Sequence, residues 1–186
     1  MLFKTLIRWG GLLGVLYAAL SIVADLVALF FVFAHGSNAG FVFRDTVTEY
    51  SEALLLAGLV ALYARQIKAV GIPGLVGLLE ASAGVVLDPL RLVWPAVLAS
   101  LGWVLFGAAS LYAEVYSSAA IILLIIGAGL SGAVNALIAS GLFKGDLVFA
   151  ASAMIIDIIF NVAIAWMSLG LFRRRDHQVL PPTQTS

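Results

Sequence analysis

The sequence predicts an all-α membrane protein, a polytopic bundle of six transmembrane helices, and three observations support this fold class. Hydrophobic residues make up 63% of the 186-residue chain and charged residues only 11%, against about 25% in soluble proteins. The mean hydropathy is +1.12, and apolar runs approaching the ~20 residues of a bilayer crossing recur along the chain. So few polar residues cannot cover a water-facing surface, which excludes a soluble fold.

The first two helices are predicted over residues 12–34 and 48–64. The first apolar run is longer than the ~7–15-residue core of a cleaved signal peptide, so we interpret it as a retained span. Residues 35–47 are rich in turn formers and are expected to form a loop. The second run has a short apolar core and ends at Arg65 and Lys68, where we expect the membrane interface.

A third candidate helix, residues 69–87, decides the helix count. Its proline, its glycines and a glutamate would also suit a re-entrant segment, which would leave five spanning helices. If it crosses, the basic residues that anchor the topology lie on the side of the N-terminus, as the positive-inside rule requires. These anchors are Arg65, Lys68, Arg173, Arg174 and Arg175. We therefore expect six helices with both termini in the cytoplasm.

The remaining helices are predicted over residues 90–112, 119–140 and 147–171. Residues 1–175 then form a single transmembrane domain, and residues 176–186 are expected to be a disordered cytoplasmic tail. In the fifth helix, small residues recur at every fourth position and would let another backbone approach closely: Ala128, Gly132, Ala136 and Ser140. The same helix spells GAGLSG, but a dinucleotide-binding fingerprint must follow a strand, so we interpret this pattern as helix packing.

Five polar residues inside the predicted helices are candidates for an intramembrane polar or ion site: Asp25, Glu80, Asn135, Asp157 and Asn161. At 1.5 Å of rise per residue, Asp25 and Asp157 lie about 14 and 15 Å from the outer side and so share a level. No Lys, Arg or His falls within the predicted helix middles to neutralise the acids. The carboxyls are thus expected either to be neutral hydrogen-bond donors that bridge helices or to bind a proton or a cation.

Composition and motifs argue against cofactor chemistry. The chain contains no cysteine, so it forms no disulfide and no iron–sulfur cluster. His35 and His177 are expected at opposite ends of the membrane, and neither has further ligands at metal spacing. No metal and no cofactor are therefore predicted. The net charge is zero, and no basic patch lies beyond the helix ends, so nucleic acid is not an expected partner.

Two stretches, LYARQ at residues 62–66 and GWVLFGAASL at residues 102–111, resemble small multi-pass integral membrane proteins of bacteria whose function is unknown. The resemblance covers most of the second to fifth predicted helices and rests on interface and packing residues. It implies a multi-pass topology in a bacterial cytoplasmic membrane and no particular activity.

Three classes of function stay open. We favour a non-catalytic membrane subunit or scaffold that contacts the lipid bilayer and other membrane subunits or further copies of the chain, because the loops are short. The second class is a small transporter or proton- or cation-conducting protein that uses the intramembrane carboxyls. The third is a membrane enzyme acting on a lipid or isoprenoid, although no G-x-S-x-G or H-E-x-x-H motif occurs.

Overall fold

The computed structural model of the protein describes residues 2–35, 39–87, 93–139 and 147–173. Within these ranges the chain forms five α-helices and no strand. All five are long and apolar enough to cross a membrane, which confirms the predicted all-α class with membrane-length helices. They are α1 (Leu2–His35), α2 (Ala39–Leu87), α3 (Val93–Tyr112), α4 (Ser118–Ala139) and α5 (Leu147–Arg173).

The predicted count of six helices is wrong for the described residues, which contain five. The predicted helices 48–64 and 69–87 are both part of α2, which is 49 residues long. Only Gly71 leaves helical geometry inside it, with φ 54° and ψ −146°, a conformation open to glycine but strained for other residues. Pro73 follows two residues later and has no N–H to offer the preceding turn. A kink, and not a loop, therefore separates a first limb, residues 39–70, from a second limb, residues 72–87.

The kink at Gly71 brings residues of both limbs of α2 into the same part of the core. Leu55 in the first limb and Val85 in the second line one cavity and belong to one buried core. In a straight helix these two residues would stand about 45 Å apart. The chain therefore turns sharply at Gly71.

Helix α2 begins at Ala39, so residues 39–47, predicted as a loop, are helical. Gly40 lies against α1, where a Cβ would come within 2.7 Å of the Cα of Ala28. The glycine that suggests a turn in the sequence is therefore a point of close helix contact. As a consequence, Arg44 lies on a helix packed against α1.

Close packing also explains part of the predicted small-residue ridge on α4. Ala128 is buried, and a Cβ on Gly132 would lie 2.6 Å from the Cβ of Ser100 in α3. Ala136 is exposed, and Ser140 lies outside the described residues. The ridge thus packs α4 against α3 over its first half.

Basic residues gather at one end of the bundle. The guanidinium of Arg8 lies 5.7 Å from the ring centroid of Phe172, next to the end of α5 at Arg173. Gly10 contacts Ala61, one turn before Arg65 in α2. The start of α1, the end of the first limb and the end of α5 therefore meet at this end. Of the other predicted anchors, Lys68 is exposed, whereas Arg174 and Arg175 lie outside the described residues.

Candidate functional site

The guanidinium of Arg44 lies between two carboxyl groups from different helices. Its Nε donates to Oδ1 of Asp25 in α1 at 2.7 Å, and a terminal nitrogen donates to Oδ2 of Asp157 in α5. The side chain of Asp25 is only 3% exposed, and those of Arg44 and Asp157 are 25% and 22% exposed. We call these three residues the Arg44 cluster. It joins α1, α2 and α5 through one side chain.

Apart from Ser100, the polar residues of the site form stripes, each along one face of α1, α2, α4 or α5. Tyr17, Ser21 and Asp25 follow one another at a spacing of four residues on α1, a spacing that places side chains on one face. Arg44, Thr48 and Glu52 do the same on α2. These stripes converge because α1 and the first limb of α2 pack closely, with Gly58 against Gly14.

The stripes enclose a central cavity of about 170 Å³. All five helices contribute to its lining, which combines charged, amide and hydroxyl groups with aromatic rings. The polar and aromatic lining residues are Tyr17, Ser21, Asp25, Arg44, Thr48, Glu52, Ser100, Trp103, Ser131, Asn135, Asp157, Phe160 and Asn161.

Helix α4 supplies a second contact to Asp157. The hydroxyl of Ser131 donates to its Oδ1 at 3.0 Å. Asn135, one turn further along, donates to the backbone carbonyl of Ser131 at 3.0 Å. Asp157 is therefore held by Arg44 on one oxygen and by Ser131 on the other, which fixes its carboxyl in the cavity wall.

Two buried polar atoms in the lining have no hydrogen-bond partner among the described residues. They are Oδ1 of Asn161 and Oγ of Ser21, and the two residues are only 4% and 3% exposed. Burying a polar atom without a partner is unfavourable, so such atoms commonly mark bound water or ligand. Both lie one turn from a carboxyl of the Arg44 cluster, since Ser21 precedes Asp25 and Asn161 follows Asp157.

Four of the five predicted polar site residues line the central cavity: Asp25, Asn135, Asp157 and Asn161. Glu80 is not among the lining residues. It lies half-buried on the second limb of α2, where its backbone approaches Gly102 of α3. The predicted shared level of Asp25 and Asp157 matches their common contact with Arg44.

Arg44 is the residue at the centre of the site that the sequence did not reveal, because residues 35–47 were expected to form a loop. The expectation that no cation reaches the helix middles is therefore wrong. A signal was present, since Arg44, Thr48 and Glu52 repeat at helical spacing and continue into the second predicted helix. Among the described residues, no group of three or more His, Cys, Asp or Glu side chains could hold a metal ion.

A second cavity of about 200 Å³ lies toward the basic end of the bundle. Its lining includes Arg65, Tyr116, Ala120, Trp166 and Met167, and we call it the end cavity.

A thin apolar layer separates the two cavities. Along α4, Ala128 lines the central cavity and Ala120 the end cavity, with Leu124 between them. Along α5, Asn161 and Trp166 line the two cavities only about 8 Å apart. Leu124 is fully buried and lines neither cavity among the described residues.

Fold and site together define the class: an α-helical protein of five membrane-length helices with a charged polar cavity between them. The chain matches no protein-family model, no curated protein and no solved structure.

Proposed function

We propose that the protein is a small membrane transporter that takes up a proton or a small cation at the Arg44 cluster. The observation that carries this proposal is the charge balance of the cluster. One guanidinium pairs with two carboxyls, Asp25 and Asp157, so it can neutralise only one of them. Charged groups inside a membrane are costly and mark ion or substrate pathways. The second carboxyl has to take up a proton or a cation, and this exchange is what a transporter can couple to movement.

The arrangement of the cavities supports the same proposal. Along α5, Asn161 of the central cavity and Trp166 of the end cavity are separated by a helical rise of only about 8 Å. On α4 the buried Leu124 stands midway between Ala128 of the central cavity and Ala120 of the end cavity. A short apolar barrier of this kind can open by a modest movement of helices, which is how transporters expose one site to either side of a membrane.

We also propose that the chain crosses a bacterial cytoplasmic membrane six times; the sequence resemblance implies the bacterial membrane, and the positive-inside rule favours six crossings. The apolar part of α2, Gly40–Leu87, is 48 residues long, or about 72 Å, against a hydrocarbon core of about 30 Å. Each limb of α2 then crosses once, with Gly71 near the basic end. The second limb, residues 72–87, is about 24 Å long, so this crossing requires a locally thinned bilayer. The positive-inside rule places that end, and with it the N-terminus and the end of α5, in the cytoplasm.

A non-catalytic subunit or scaffold, which the sequence favours, is the alternative outcome. Packing alone would not require the polar stripes of four helices to meet in a cavity with unpaired buried oxygens. Association with other membrane subunits or with further copies of the chain stays a prediction.

Proton flux through reconstituted vesicles tests the proposal. Purified protein is placed in vesicles loaded with potassium and a pH-sensitive dye, and valinomycin imposes a membrane potential that drives protons inward. We expect faster internal acidification than in protein-free vesicles, and loss of this excess in Asp157→Asn. Glu80→Gln is the matched control, because it also neutralises a carboxyl on a membrane-length helix but lies outside the cavity, and it should keep the flux.

Two results would contradict the proposal. One is acidification by the wild-type protein no faster than in protein-free vesicles. The other is a flux that Asp157→Asn leaves unchanged while the variant still elutes as a folded, monodisperse species. A stoichiometric partner found on purification from native membranes, together with no flux, would establish the scaffold function in its place.

A further inference from the structure

We propose that the central cavity binds a small protonated amine, that is, an organic cation with N–H donors. This amine would be the cargo of the proposed transporter. The binding itself does not depend on the proposed function, whereas transport of the bound amine does. The charge of the cavity, its unpaired acceptors, its aromatic wall and its size each support it.

The charge of the cavity favours a cation over an anion. Two carboxyls in the lining, those of Asp25 and Asp157, share the single guanidinium of Arg44. Asp45 also contacts Arg44, at 3.3 Å, but is 66% exposed. The residues that α3 and α4 contribute to the lining are all neutral. An anionic solute would have to approach several carboxyls, whereas a cation replaces the proton that the cluster otherwise takes up.

The unpaired atoms of the cavity are hydrogen-bond acceptors. Oδ1 of Asn161 is buried without a partner among the described residues and belongs to a side chain that lines the cavity. An ammonium group carries three N–H donors and no acceptor. It could therefore contact a carboxylate and Asn161 Oδ1 together, which a quaternary ammonium ion could not do.

Aromatic rings and volume favour an organic cation over a metal ion. The rings of Trp103 and Phe160 lie edge to face with centroids 5.2 Å apart, and Tyr17 completes the wall. Aromatic rings attract organic cations and cover their apolar part. No metal-binding group of acids and histidines occurs among the described residues. A volume of about 170 Å³ equals that of about six water molecules, which suits a short alkylamine.

Fluorescence of Trp103 tests the inference in the full-length protein. Trp103 is 3% exposed, whereas Trp9, Trp94 and Trp166 are exposed, so replacing these three with Phe leaves a reporter in the cavity wall. The protein is titrated with butylammonium, with butanol as a neutral probe of the same chain length, and with butyrate as the anionic one. We expect saturable binding of butylammonium, with a Kd at least about tenfold below that of either other probe.

Variants locate the binding. Asn161→Ala should raise the Kd of butylammonium at least about tenfold, whereas Glu80→Gln should leave it unchanged. If Asn161→Ala fails to fold, the inference is still tested by the binding of the three probes to the protein that keeps Asn161 and Glu80. Butanol or butyrate binding as tightly as butylammonium would overturn the inference.

The two proposals can fail separately. Butylammonium binding with neither proton flux nor butylammonium uptake by the vesicles supports the amine site and contradicts the transporter. Proton flux that depends on Asp157, with no preference for butylammonium, supports the transporter and overturns the amine site.

Discussion

Removing Arg44 should destabilise the fold through the two carboxyls that it leaves behind. In Arg44→Met the apolar side chain keeps a similar length, but Asp25 and Asp157 lose their common cation. Breaking a buried ion pair by deleting one partner costs about 3–5 kcal/mol. Because the side chains of Arg44 and Asp157 are 25% and 22% exposed, we expect the lower end of this range, about 3 kcal/mol.

A second substitution should rescue this loss. Adding Asp25→Asn to Arg44→Met removes the carboxyl that is least exposed, so it should restore more than half of the lost stability. Equilibrium unfolding in mixed detergent micelles measures both variants. Lys68→Met serves as the control, since its side chain is exposed, and should change stability by less than about 0.5 kcal/mol. Wild-type stability in Arg44→Met, or a further loss of stability on adding Asp25→Asn, would refute this reasoning.

Three further predictions concern packing, the barrier and the topology. Gly58→Ala should lower the free energy of unfolding by about 1–3 kcal/mol in a thermal unfolding assay, because the new Cβ would lie 2.8 Å from the Cα of Gly14. The control, Gly170→Ala, should be neutral or stabilising, because a Cβ there would have nothing within 4 Å. Leu124→Ala should raise proton leakage through reconstituted vesicles, since it shortens the layer between the two cavities; an unchanged leak in a folded variant would show that the barrier lies elsewhere. Ile72 is 76% exposed beside the kink. In inverted vesicles, whose cytoplasmic side faces outward, Ile72→Cys should react with an impermeant thiol reagent. Reaction only in right-side-out vesicles would disprove the proposed orientation.

The sequence predicted the class of the fold and named four polar residues that line the cavity, but it did not predict the cation at its centre. Composition and the length of the apolar runs were sufficient for membrane-length helices. Helical depth alone also placed Asp25 and Asp157 at one level. Arg44 was missed because glycine and asparagine before it predict a turn in isolation, whereas Gly40 is needed for contact with Ala28. Such a tertiary contact leaves no local trace in the sequence.

The predicted number of helices was wrong for a related reason. A basic stretch, a glycine and a proline between two apolar runs are expected at a loop, and residues 65–73 contain all three. In the structure only Gly71 leaves helical geometry, so one residue performs the turn that a loop would otherwise make. Glu80 shows the opposite limit, because it lies within a predicted helix like the other acids but its position on the second limb keeps it out of the cavity lining. The depth of a residue along its helix could be calculated from the sequence, but whether its helix face points toward the cavity could not.

The most direct test of the proposed site is whether water reaches the Arg44 cluster when the protein is embedded in a membrane. The chain has no cysteine, so single cysteines can be placed at two adjacent residues of α4 at the same depth. Ser131 lines the central cavity beside Asp157, whereas Leu130 is 46% exposed on the outer face of the bundle. In intact vesicles, a water-soluble thiol reagent should label Ser131→Cys much faster than Leu130→Cys, because a thiol in lipid does not ionise. Equal labelling of both positions, or faster labelling of Leu130→Cys, would contradict a wet polar cavity inside a membrane bundle.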